Sequence, residues 1–199
     1  MNDPLEIFYK RRSIRKFTGE PVSRDDLIAL LRAGMSGPSA MNAQPWEFVV
    51  ITDQKTIERL RHALPFAKMK PTAVICVLGS KRMQKNKGGD KFWVQDCSAA
   101  TENILLAAVA LGLGGVWIGI HPIYLFEKQV KRILNLPKGV TPLNLLFLGH
   151  PDEEKEARTQ YEEKRVHWGV FPGGEDQDGT EEDEPAFGMN VREHDLSDL

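Results

Sequence analysis

The stretch "RRSIRKF" places four cations, Arg11, Arg12, Arg15 and Lys16, within six residues. Guanidinium groups grip phosphate oxygens in planar, bidentate fashion, and a hydroxyl such as that of Ser13 can complete the cradle. Such a run serves one of three ends: a solvated helix terminus, a nucleic-acid patch, or the grip on an anionic cofactor. A second stretch, "PSAMNAQPW" at 38–46, concentrates Ser39, Asn42 and Gln44 between prolines. Neutral amides both donate and accept. They suit a heterocycle edge with alternating carbonyl and N–H groups better than they suit a phosphate. A third stretch, "YEEKRVHWGVF" at 161–171, carries Lys164, Arg165 and His167. Two basic sites from distant parts of the chain could converge on one phosphate, each charge-assisted contact contributing about 1.5–3 kcal/mol.

The segment "GLGGVWIG" imitates a dinucleotide-binding fingerprint and fails it twice. Trp117 stands where the third glycine belongs, and the order is helix, glycines, strand instead of strand, glycines, helix. What the glycines do permit is close approach of backbone N–H groups to a flat ligand, above all at Gly119. A tight helix-to-strand turn is their plainer use. Cys76 and Cys97 show no CxxC or metal-ligand spacing and read as buried thiols, so no metal site is expected. His121 and His167 read as structural or solvent-facing.

Positioning these groups requires a framework, and its pieces are visible. "DPLEIFYKRR" starts a short helix ending at the basic run. Ser23, with Asp26 three residues on, forms a capping box for a helix whose apolar face is Leu27, Leu30, Leu31 and Met35. Residues 46–52 and 72–79 read as strands, the second apolar enough to be buried on both faces. Gly88-Gly89 reads as a breaker, followed by a long helix from Phe92 that is apolar nearly all round. A strand at 115–120, a helix stopped by Pro137 and a strand at 143–151 complete the list. Helices and short strands without regular crossover alternation predict an α+β fold.

Charge is unevenly spread. Ten of the 28 Asp and Glu residues, but one of the 26 Lys and Arg, lie in 173–199, so that tail carries −9 and residues 1–172 carry +7. The boundary at 172/173 predicts a folded domain and an acidic tail, disordered or partner-binding. The tail competes with nucleic-acid phosphate, and no nucleic-acid module is present. The longest apolar stretch is interrupted by glycines, and the N-terminus shows no signal-peptide pattern. The expectation is a cytoplasmic protein with neither membrane nor nucleic-acid partner.

In their order and spacing, "RRSIRKF", "PSAMNAQPW", "ATENILLAAVALGLGGVWIG" and "KRVHW" resemble the nitroreductase-type FMN flavoproteins over about residues 4–170. The resemblance implies a central, mainly antiparallel sheet flanked by helices in an intertwined homodimer, with FMN at the interface. It assigns Arg11, Arg12 and Ser13 to the FMN phosphate, helped by Lys164 or Arg165. Arg15 would lie at the N1–C2=O edge of the flavin and stabilise the charge developing there. Pro38, Ser39, Ala40, Asn42 and Gln44 would line the ring held by the other protomer. Backbone N–H groups of Gly119 and Ile120 would approach flavin N5, so these two and Arg15 are the catalytic candidates. The implied reaction is ping-pong, from NADH or NADPH through the flavin to a nitroaromatic, quinone or related small acceptor. A non-catalytic flavin sensor or carrier, or a member specialised for dehalogenation or flavin breakdown, is the alternative. Ala40 stands where the family often has a second Ser, and the acidic tail is foreign to the pattern.

Overall fold

Two strands, β2 (Ala73–Ser80) and β4 (Val140–Gly149), are buried almost throughout and set the architecture. Along β2, Ala73, Ile75 and Val77 face one core while Val74, Cys76 and Leu78 face the other. A strand buried on both faces needs cover on both. One core is closed by α2 (Arg24–Met35) and α4 (Gly88–Ala110) through Leu27, Leu30, Cys97, Ala100 and Ile104. The other is closed by α3 (Gln54–Ala63) and α5 (Tyr124–Leu134) through Ile57, Leu60 and Val130. With β1 (Trp46–Ile51) and β3 (Gly114–Gly119) the sheet has four antiparallel strands in the order β1-β2-β4-β3. A five-residue helix, α1 (Glu6–Lys10), precedes them. This computed structural model describes residues 3–172.

The sequence-based elements are present, most strand ends within a residue or two of expectation, and the starts of β4 and α4 lie further upstream. β4 starts at Val140, upstream of the expected 143, and runs through Pro142. The β2–β4 ladder slips between Val77 and Leu78, opposite that proline, where a missing N–H is tolerated. The expected breaker Gly88-Gly89 lies inside the first turn of α4. A Cβ on Gly88 would sit 2.9 Å from the Asn86 side chain and 3.1 Å from the Ala40 carbonyl. This glycine permits a close approach to the neighbouring loop and does not end a helix.

Local signals hold where they were read. Ser23 accepts the Asp26 N–H at 3.0 Å and donates to its carboxylate at 2.7 Å. Both cysteines are free and buried, and burial pushes the Cys97 thiol up to about 12 and the Cys76 thiol higher still. Among the described residues no helix is long and apolar enough to cross a membrane. Composition changes at 172/173; among the described residues, packing separates a first unit, up to Thr159, from a second that follows. In 160–172, Tyr161, Trp168, Val170 and Phe171 are all exposed, so their apolar character adds nothing to a core. The acidic tail lies outside the described residues.

Candidate active site

The basic segment is positioned by β3. Ser13 pairs with Gly115 in a parallel bridge, and the Ile14 N–H donates to the Gly115 carbonyl at 3.0 Å, so the segment runs along the edge of the strand. Gly114 makes this possible, because a Cβ there would lie 2.8 Å from the Ile14 Cβ. Further along, Phe17 bridges to Pro151, and its ring fills the space a Cβ on Gly149 would need. Carboxylates finish the job. Glu153 accepts the Arg15 N–H at 2.5 Å and the Lys16 N–H at 3.3 Å. The Arg15 N–H, with a smaller contribution from Lys155, holds the Glu153 carboxyl below the usual glutamate range.

Arg11 and Arg12 reach a cleft of about 760 Å³ between this segment, the end of α4 and residues 151–157. The Arg11 Nε is 3.2 Å from Glu102 on α4, and the Arg12 guanidinium donates to the Glu156 carbonyl. Lys155 lines the same cleft and donates to the Ser13 carbonyl at 2.6 Å. Arg15 is exposed, with its guanidinium 3.4 Å from that carbonyl. Four cations, Lys10, Arg11, Arg12 and Lys155, line the cleft together with three carboxylates, Glu153, Glu154 and Glu156. Of the cations, Arg11, Arg12 and Lys155 lie about the Ser13 backbone and are donors of the kind an anion requires.

The loop Pro38–Gln44 is neutral and shaped by its neighbours. Met41, Asn42 and Gln44 all have left-handed backbones, with φ of 51°, 52° and 48°. Such residues cost of order 1–3 kcal/mol each and persist where the surroundings over-determine them. Here the Ala40 N–H donates to Asp96 of α4 at 2.9 Å. Asn86 Nδ2 donates to the Met41 carbonyl and the Lys85 N–H to the Ala43 carbonyl, both at 2.8 Å. Within the loop, Ser39 Oγ accepts the Gln44 N–H at 3.1 Å, and Gln44 Nε2 donates to Asn42 Oδ1 at 2.7 Å. Pro38, Met41 and Asn42 are exposed.

At the end of β3, Gly119 is exposed, and an added Cβ there would meet nothing within 4 Å. Ile120 is fully buried, and its N–H donates to the Leu143 carbonyl at 3.1 Å. His121 is half-buried, with its ring 4.7 Å from Trp93 and its Nδ1 2.7 Å from Glu127. Lys164 and Arg165 belong to the second unit, in a single 3₁₀ turn (Glu163–Arg165) where both pair with Glu162.

The family model described as Nitroreductase family matches residues 9–65 and 61–150. The chain belongs to the nitroreductase family. A provisionally named NADH dehydrogenase/NAD(P)H nitroreductase of Archaeoglobus fulgidus is 38% identical over 170 residues, covering 84% of this chain and 98% of the relative. A crystal structure of a like-named protein from Parabacteroides distasonis superposes with a TM-score of 0.80 at 34% identity, covering 86% of this chain and all of that one. Another, a provisionally named nitroreductase from Desulfovibrio desulfuricans in complex with FMN, gives a TM-score of 0.71 at 28% identity, with coverage of 86% and 100%.

Motif reading of this nitroreductase-family chain missed two residues that stand at the candidate site. Lys155 sits in the acidic run "DEEKE", where a lone lysine reads as surface balance. Its value arises from the antiparallel return of 151–155 beside the basic segment. Asp96 is one of three acids on α4, with Asp90 and Glu102, and nothing in the sequence marks it as the buried one.

Proposed function

We propose that this nitroreductase-family chain is an FMN-dependent oxidoreductase that carries electrons from NADH or NADPH to a small nitroaromatic, quinone or related acceptor in alternating half-reactions. The observation that carries the reading is the gathering of Arg11, Arg12 and Lys155 beside the Ser13 backbone, in a cleft they share with Glu153, Glu154 and Glu156 and in the same unit as the preformed neutral loop Pro38–Gln44. FMN, when bound, supplies the redox chemistry, and the protein supplies binding, orientation and electrostatics. Arg11, Arg12, Ser13 and Lys155 hold the phosphate. Ser39, Asn42 and Gln44 offer amide and hydroxyl groups to the ring edge, and Pro38 and Ala40 its apolar border. Gly119 leaves open space for a ring to approach the backbone. The Ile120 N–H is already engaged by Leu143, so the closest backbone contact is assigned to Gly119.

Arg15 is exposed and anchored through its own N–H to Glu153, and its guanidinium, held among the described residues only by a long 3.4 Å hydrogen bond to the Ser13 carbonyl, is the group to face developing negative charge. Arg15→Ala is expected to lower the flavin midpoint potential; an unchanged potential removes that role. The working unit is a homodimer, supported by an apolar groove of about 460 Å³ with Leu27, Ile28, Leu31 and Val50 on its walls. Light scattering on the purified protein should return twice the chain mass.

The deciding experiment is the visible spectrum before and after anaerobic NADH or NADPH. Absorbance near ~450 nm that bleaches with either establishes the activity and names the donor. Bound flavin that stays oxidised with both points to a sensor or carrier. A protein that takes up no FMN overturns the reading.

A further inference from the structure

Asp96 is 4% exposed, yet no ion pair to it exists among the described residues. Its Oδ1 accepts the Ala40 N–H at 2.9 Å, and its Oδ2 has no partner among those residues. Burying a carboxylate against a single N–H is costly, and an apolar side chain would serve packing better. Burial accordingly raises its pKa, an effect the Ala40 N–H partly offsets. The acid therefore serves something other than stability.

Its position on α4 suggests what. Asn103 Nδ2 donates to the Ala33 carbonyl at 3.1 Å, and the Ala100 backbone lies 3.3 Å from where a Cβ on Gly37 would be. Residues 96, 100 and 103 share one stripe of the helix. That stripe tracks the end of α2 and its exit, touching 33, 37 and 40 in turn. At Ala40 the contact meets the start of the three left-handed residues.

We propose that Asp96 is a positioning residue: through the Ala40 N–H it holds Ser39–Gln44 in the ring-lining conformation before FMN arrives. The proposal rests on the FMN reading for its functional consequence, but the preformed loop is a property of the protein alone. Asn86 and Lys85 pin the far side of the loop at Met41 and Ala43, so Asp96 closes a three-point clamp. Preorganisation of this kind lowers the ordering cost that a ligand would otherwise meet on binding.

The test compares Asp96→Ala and Asp96→Asn with wild type, as full-length apo-protein and with FMN. Amide exchange at Ala40 in the apo-protein should quicken at least about tenfold in D96A. The FMN Kd, from fluorescence quenching, should rise about tenfold. The melting temperature of the apo-protein should stay level or rise, because an uncompensated buried acid is gone. D96N retains an acceptor oxygen and should restore both readouts to within about threefold of wild type. Unchanged exchange in D96A overturns the proposal, as does D96N failing as badly as D96A. A wild type that binds no FMN sinks the functional reading instead, while the exchange measurement still decides the loop. Should D96A not fold, Ala40→Pro removes the donor in place of the acceptor; Ser39 is already extended, as a residue before proline must be. Proline has no amide N–H at 40, so exchange is read there at the loop amides of Asn42 and Ala43, beside the FMN Kd: both should rise as expected for D96A, and unchanged exchange overturns the proposal.

Discussion

The basic segment 11–17 and the neutral loop 38–44 serve one proposed site but are built on opposite physical terms. The segment is partly exposed, lies along the edge of β3, and is balanced by Glu102 and Glu153. The loop passes through three left-handed residues and is held by a hydrogen bond to Asp96 and by hydrogen bonds from Asn86 and Lys85. Charge is kept where water still solvates it, so its grip on an anion is adjustable and screened by salt. Shape is kept by hydrogen bonds to α4 and the chain before it, which salt barely touches. A flavin nucleotide needs both, a charged end gripped and a flat ring oriented.

The comparison can be broken hardest at Gly114. Gly114→Val would drive a Cβ to 2.8 Å from the Ile14 Cβ and unseat the whole segment. A loss of about 1–3 kcal/mol of stability is expected from this overpacking. Thermal melting reads that loss, and the protein should purify without FMN while amide exchange in 38–44 stays as in wild type. A Gly114→Val protein that keeps its FMN would mean the segment is not the phosphate grip.

A sharper contrast comes from Lys155→Ala against Asn86→Ala. Loss of Lys155 should raise the FMN Kd about tenfold, and the penalty should shrink as salt is added. Loss of Asn86 should cost about 1 kcal/mol of affinity and show no such salt dependence. Titrations at low and high ionic strength separate the two, and equal salt slopes would erase the distinction drawn here.

The smallest effect concerns pH. The Glu153 carboxyl is held below its ordinary value near 4.5, so its contribution is present above that value and fades as pH falls through the depressed one. Glu153→Gln should therefore be less stable than wild type at neutral pH, with the gap narrowing in acid below about 4.5. Acid denaturation curves that run parallel would show that the carboxylate anchors nothing.

Much of the framework was legible before the structure. The Ser23 cap, the doubly buried β2 and the long α4 follow from short-range preferences and periodicity, which neighbours in sequence decide. The start of α4 was misplaced because Gly88 reads alike whether it ends a helix or admits a carbonyl from 48 residues away. Met41 and Gln44 carry no local mark of left-handed backbone, and Asn42 only the general tolerance of asparagine for it; the bonds that hold the loop in place reach residues 85, 86 and 96.

By itself the sequence determined the α+β class, the buried strands, the capped helices and the four motifs whose spacing resembles the nitroreductase family. Those are properties of residue type and local order. Only the tertiary structure decided that Lys155 meets Ser13, that a glycine admits Ile14, and that Asp96 reaches Ala40. Each of these depends on pairing between segments far apart in the chain, where backbone donors, acceptors and missing side chains acquire partners that no local pattern records.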